Sequence, residues 1–279
     1  MGKHLKELDF TDPTAVEYWD KLYDLNDFTA YCYKKRMETA LSWVDDLDLS
    51  PNLIILEAGC GAGRFAREAA SKGHNVFGMD NSHEMIIKAN NGSKSAGNFN
   101  AAFLQGNIEE LPLKTSSFDV IVCLGVVGYL NSETKALKSI ARAIKPGGIL
   151  TISIVNKARL ISRLDIPILL ITLLKKIQNG MAGALNKGKG HDETPPVKDY
   201  YIPTFRKSLE SAGFTVIEYR TVPSKLLTFC GKEIFPRKLA TKLTLFIEKF
   251  SNIPIIGSFG GMCIFKAQKN LSSNWAYED

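Results

Sequence analysis

Cysteine is scarce and scattered. Cys32, Cys60, Cys123, Cys230 and Cys263 are the only five in 279 residues, and no two form a C-x-x-C pair. That spacing excludes a disulfide framework and a zinc site, and it suits a reducing compartment, so a cytoplasmic setting without a metal is expected. Long apolar runs are missing too. The longest uncharged stretch, 250–265, has 16 residues and is broken by Pro254 and three glycines. A membrane-crossing helix needs about 20 apolar residues. The opening MGKHLKELDF has no apolar centre, so no signal peptide is expected. There are no internal repeats. Against these absences, 45% hydrophobic residues are ample for a folded core.

Charge is unevenly spread around a net of +6. Residues 1–56 carry 6 Lys/Arg against 11 Asp/Glu, a net of −5; residues 157–190 carry 7 against the single Asp165, a net of +6. The second stretch wraps an apolar run, IPILLITLL at 166–174. It reads either as a buried helix with solvated basic ends or as a peripheral contact with an anionic membrane.

The most telling stretch is LIILEAGCGAG at 53–63, followed by VFGMD ending at Asp80. An apolar run stops at Glu57, three glycines alternate at Gly59, Gly61 and Gly63, and a second short run ends at Asp80. An apolar run of this length reads as a parallel strand buried on both faces. The glycines permit a tight turn and let a ligand approach the backbone. The next residues read as a helix whose N-terminal end faces that ligand. An acid at the end of the next strand can accept hydrogen bonds from both hydroxyls of a ribose. The pattern describes a pocket for a nucleoside that carries a further group.

Strands are expected at 53–57, 75–80, 101–105, 119–124, 149–155, 214–220 and 262–268. Helices are expected over 11–46 (capped by Thr11 or Asp12), 64–72, 83–91 after Ser82, 132–144, 200–211 and around 237–250. By composition 90–98 is a loop, and Lys145-Pro146-Gly147-Gly148 should end the helix before the fifth strand. Strands alternating with helices imply a doubly wound parallel sheet, with the ligand at the carboxyl ends of its strands.

The glycine stretch resembles motif I of the class I S-adenosylmethionine (SAM)-dependent methyltransferases, in the form E-x-G-x-G-x-G. QGNIEELPLKTSSFDVIVCLGVVGYL at 105–130 and KPGGILTISI at 145–154 resemble the later strand motifs of that family's small-molecule branch. The resemblance implies a Rossmann-like α/β sheet, mostly parallel with an antiparallel last strand, and helical cap insertions. One methyltransferase domain would fill 1–279. It would comprise an N-terminal cap at 1–50, a SAM-binding core at 51–156 and an insertion at 157–203. The last helix and strands would lie at 204–220 and 261–269, with a second insertion at 221–260 between them.

The resemblance also implies roles. Glu57, Gly59, Cys60, Gly61 and Gly63 would hold the methionine end of SAM and its approach to the ribose, and Asp80 the ribose hydroxyls. Asn81 and Met85 would line the adenine. Asn107, where many members have Asp, would meet the adenine amino group through its carbonyl oxygen, with the Ile108 amide beside it. Leu124 and Gly125 would flank the methionine moiety. The product would be S-adenosylhomocysteine (SAH).

The exit of strand 4 reads LGVVGYL, without the D/N-P-P-Y/F or Pro-Cys signatures of nucleic-acid and protein methylation, and no basic stripe with interleaved aromatics is present. The expected acceptor is therefore a small molecule or lipid, methylated at oxygen or nitrogen, and not nucleic acid. His191 and Tyr129 are the candidate catalytic groups, with Tyr18 a weaker one. Two other functions stay open. One is a SAM- or partner-binding module without turnover. The other is an NAD-dependent oxidoreductase, which rests on Gly61, Gly63 and Ala66 alone.

The charge pattern generates one prediction. The full chain should cosediment with anionic vesicles at low salt and be released as salt rises. No cosedimentation at low salt would assign 157–190 to internal packing.

Overall fold

The computed structural model describes residues 10, 12–25, 27–47, 52–97, 100–158, 197–222, 228–229, 232–233, 242, 246 and 260–271. The apolar run of 166–174 and His191 lie outside the described residues; of the helix expected at 237–250 only 242 and 246 are described, and both are helical.

Seven strands form one sheet in the order β3-β2-β1-β4-β5-β9-β6. They are β1 (Ile54–Ala58), β2 (Asn75–Asp80), β3 (Ala101–Gln105), β4 (Phe118–Cys123), β5 (Ile144–Val155), β6 (Phe214–Val222) and β9 (Met262–Lys269). A separate two-stranded ribbon pairs β7 (Thr228–Phe229) with β8 (Lys232–Glu233). The first five strands of the large sheet run parallel, and β9 is antiparallel to both of its neighbours, β5 and β6. The sheet is thus mostly parallel with an antiparallel last strand, as the sequence implies.

Side-chain alternation fills both faces. On β1, Ile55 packs with one cluster and Leu56 with the other; on β4, Val120 and Val122 face one side, Ile121 and Cys123 the opposite. Period-two alternation with apolar residues on both faces requires helices on both sides. One face is covered by α2 (Phe28–Asp45) and α3 (Arg64–Ser71), through Met37, Leu41, Phe65 and Ala69. The other is covered by α5 (Glu133–Ala143) and α6 (Ile202–Ser211), through Leu137, Ile140, Phe205 and Leu209. The strand order reverses between β1 and β4, which opens a crevice at their carboxyl ends.

Local differences from the sequence expectation have physical causes. The stretch expected as one helix over 11–46 splits into α1 (Pro13–Lys21), a 3-10 turn (Leu22–Asp24) and α2. Asp12 caps α1, and Asp27 restarts the chain by accepting from the Ala30 N–H at 2.8 Å. Helix α4 (His83–Ser95) runs on into the stretch expected as a loop. Asn90 and Ser95 donate back to the carbonyls of Ile86 and Asn91, and the Arg67 guanidinium lies against Gly92. These side chains supply the contacts that polar composition alone does not reveal. The Lys-Pro-Gly-Gly turn falls inside β5. Phe118 pairs with Ile144 and Val120 with Ile149, so 145–148 bulge out of the ladder.

Candidate functional site

A cavity of about 340 Å³ opens at the carboxyl ends of β1, β2 and β4. Eleven of the twelve residues expected to hold the cofactor lie on its wall: Glu57, Gly59, Cys60, Gly61, Asp80, Asn81, Met85, Asn107, Ile108, Leu124 and Gly125. Gly63 does not. It caps α3 with a φ of +73°, and a Cβ there would stand 2.6 Å from the Phe103 ring. Its role is to close the turn against β3.

The glycine loop is held from within. The Gly59 and Cys60 N–H groups both donate to the Met79 carbonyl, at 2.7 and 2.9 Å, and the Gly63 N–H donates to Cys60 O at 2.9 Å. Gly61 N donates to Asp80 Oδ2 at 2.8 Å. The helix that follows is answered by protein as well: Ala66 N donates to Glu57 Oε2 at 3.0 Å. The start of this helix does face the cavity, through Arg64 and Phe65 on its wall, while its Ala66 N–H is taken by the Glu57 carboxyl. The carboxyl groups of Glu57 and Asp80 stand on this wall.

Glu57 is almost wholly buried. Burial pushes its carboxyl up to about 8, reinforced by Asp80 and opposed by the Ala66 N–H and the guanidinium groups of Arg67 and Arg36. Asp80 is raised by burial and pulled back by the backbone N–H groups of Ser82, Gly61 and Asn81. Its Oδ1 accepts from Ser82 N at 3.0 Å, so Asp80 ties the glycine loop to the start of α4. Each carboxylate oxygen can accept a second hydrogen bond. Asn107 Oδ1 accepts from Glu109 N at 2.9 Å, capping the 3-10 turn Ile108–Glu110. Its carbonyl oxygen has one lone pair already engaged. Burial pushes the Cys60 thiol well up, so it fills the turn as an inert group.

Tyr129 is on the cavity wall, 41% exposed, with its ring edge-on to Phe10 at 5.2 Å. Burial raises its pKa, which keeps it a phenol. That suits contact or proton donation and argues against its acting as the base. Tyr18 is not on the wall.

The N-terminal segment, expected as a cap, completes the cavity. Phe10, Trp19, Tyr23 and Tyr33 come from the N-terminal segment and pack ring against ring opposite the glycine loop. Ser82 Oγ donates to the Phe10 carbonyl at 2.7 Å, and Lys88 bridges Glu17 and Asp20, which docks this segment onto α4. Arg36, on α2, was missed because no motif surrounds it. It is 4% exposed, lies 4.4 Å over the Tyr33 ring, and reaches Met262 Sδ only at 4.0 Å. Its Nε has no hydrogen-bond partner, and no carboxylate pairs with it among the described residues. A buried guanidinium left this way has donors that an anionic group can fill.

A seven-stranded mixed sheet with a glycine loop and a strand-end acid beside a cavity defines a Rossmann-like α/β fold. Residues 56–152 match the family model described as Methyltransferase domain. Among similar proteins, ubiquinone biosynthesis O-methyltransferase of Rickettsia canadensis is 30% identical over 157 residues, covering 55% of this chain and 64% of that one. Malonyl-[acyl-carrier protein] O-methyltransferase of Pectobacterium atrosepticum is 36% identical over 98 residues, covering 35% and 37%. The chain spans less than two thirds of the length of these relatives. Among solved structures, magnesium protoporphyrin IX methyltransferase from Synechocystis PCC 6803 with bound SAH superposes with a TM-score of 0.61 at 19% identity, over 94% of this chain and 97% of that one. That likeness is one of fold.

The buried carboxyl sets a pH dependence. Folded Glu57 titrates near 8 and the unfolded residue near 4.5, so between these values the folded state holds the extra proton. Stability should therefore fall as pH rises through that window. Glu57→Gln should flatten this slope in urea denaturation followed from pH 5 to 9; an unchanged slope would place the titration elsewhere.

Proposed function

We propose that this protein transfers a methyl group from SAM to an oxygen or nitrogen of a small, lipophilic acceptor. The observation that carries this reading is the charge layout of the cavity, with buried Glu57 and half-buried Asp80 at the glycine loop and the Arg36 guanidinium, which no described carboxylate pairs, on the same wall. SAM supplies a methyl group on a positively charged sulfur, next to an amino-acid tail and a nucleoside. Arg36 would hold the tail's carboxylate, and Glu57 would answer its positive charge. Asp80 would accept from the ribose hydroxyls. Met85, Asn107 and Ile108 would enclose the adenine, with Asn81 at its edge. The rings of Phe10, Trp19, Tyr33 and Tyr129 would keep water from the transfer and align the acceptor.

The same layout weighs against NAD. A pyrophosphate is normally held by free loop amides at a helix N-terminus. Here the loop amides of Gly59, Cys60, Gly61 and Gly63 are engaged, and the nearest groups are two carboxyls. A binding module without turnover would use the same wall and is separated only by assay. The named O-methyltransferase relatives favour oxygen as the methylated atom. The buried thiols of Cys60, Cys123 and Cys263 fit a reducing, cytoplasmic setting. A peripheral membrane contact through 157–190 would bring a lipid acceptor within reach.

A hydroxyl acceptor must lose a proton. Glu109 is committed to the Asn131 and Ser132 N–H groups and Asp20 to Lys88, so neither is free to take it. We assign that task to His191 on its sequence position. His191→Ala should lower SAH production in a metabolite extract by about 10²-fold or more while SAH affinity holds; full turnover in the variant would remove His191 from the mechanism.

Calorimetric titration tests the cofactor. SAH should bind and NAD should not. Asp80→Ala should weaken SAH by at least about 100-fold, the effect of two lost hydrogen bonds to a charged group, with the fold checked by thermal unfolding. NAD binding instead of SAH, or unchanged SAH affinity in the variant, would overturn this reading of the loop.

A further inference from the structure

Strand β5 is apolar through the middle of the sheet, with Ile149, Leu150, Ile152 and Ile154 all buried. Thr151 and Ser153 are the polar exceptions. A buried hydroxyl on a central strand is costly unless it is bonded. Ser153, 2% exposed, has a partner 28 residues away: its Oγ accepts from the Gly125 N–H at 2.8 Å. That bond crosses from β5 to the chain leaving β4, where the cavity wall begins.

Gly125 has a φ of +77°, a conformation that side chains resist, and a Cβ there would stand 2.4 Å from Arg36 Nη1. The guanidinium therefore rests against bare backbone. Its other contacts are soft, namely the face of Tyr33 and the distant Met262 sulfur. The position of the Gly125 peptide is the firm element of its seat, and Ser153 fixes that peptide from behind.

We infer that Ser153 is a positioning residue for Arg36, acting through the Gly125 peptide to aim the guanidinium at the carboxylate of the ligand's amino-acid tail. The inference rests on the assignment of Arg36 to that tail. Without the Ser153 oxygen the Gly125 N–H loses its acceptor, the peptide is free to turn, and the seat of the guanidinium moves. The nucleoside end, held by Asp80 on β2, has no share in this linkage. The two ends of the ligand should respond differently to the loss of one hydroxyl.

The test compares SAH with 5′-methylthioadenosine, which keeps the nucleoside and lacks the amino-acid tail. Both are titrated calorimetrically into the parent protein, Ser153→Ala, Arg36→Ala and the double variant. Ser153→Ala should weaken SAH by about 5- to 10-fold, the range of one hydrogen bond, and leave methylthioadenosine within about two-fold. In the Arg36→Ala background, Ser153→Ala should add nothing, since both act on one contact. Ser153→Cys, nearly isosteric with a weak acceptor, should give the same pattern and serves if the alanine variant does not fold. Equal weakening of both ligands, unchanged SAH affinity or additive effects would each overturn the relay while leaving the site reading intact. A parent protein that binds methylthioadenosine but gains nothing from the tail would overturn the role of Arg36, and one that binds neither would overturn the site itself.

Discussion

The Met79 carbonyl accepts two backbone N–H groups, from Gly59 and Cys60, and the site depends on that grip. It draws the turn after β1 across the end of β2 and turns the first loop amides inward. The next residue of β2, Asp80, then catches Gly61 N, and Glu57 catches Ala66 N at the start of α3. A loop fastened this way has few donors left for a ligand. What it offers instead is carboxyl oxygens with unused lone pairs, and these recognise hydroxyls and positive charge. The same glycine spacing with its amides turned outward would recognise phosphate. The chemistry follows from which way the loop is tied and not from the glycines themselves.

The other half of the cavity comes from a distant part of the chain. Helices α1 and α2 lay their aromatic rings over the strand ends, and Arg36 comes with them. A lone buried guanidinium is expensive. Here the face of Tyr33 compensates it in part. The Arg36 guanidinium in turn helps to hold the Glu57 carboxyl down against burial. Both groups line the space that the ligand's zwitterionic tail would fill.

Much of this was legible in the sequence. The strands at 75–80 and 101–105 emerge with the bounds expected of them, because alternating apolar runs framed by polar turns leave little latitude. Asp80 was legible because a strand end and a fixed spacing from the glycines place it. Arg36 was not, because it sits mid-helix without a motif and matters only through where α2 packs. Ser153 was hidden for the same reason: a serine in an apolar strand has no visible partner until the sheet brings Gly125 to it. Composition misled at 90–98, where side chains bonding back to the helix carry α4 past a glycine. At 145–148 the turn was rightly read, but the ladder continues on both sides of it.

A carboxyl as deep as Glu57 would ordinarily be a liability. Its raised pKa removes much of that cost, because near neutral pH the resting protein can keep the group protonated. A ligand that brings positive charge beside it reverses the balance and favours the ionised form. A carboxylate at this place would act on such a ligand at close range. Burial that is cheap when the site is empty thus becomes attraction when a cation arrives. A permanently charged acid at this depth would cost more stability, and a shallower one would bind less strongly. Depth at the end of a central strand, with one backbone N–H to steady it, is the compromise the β1 terminus makes.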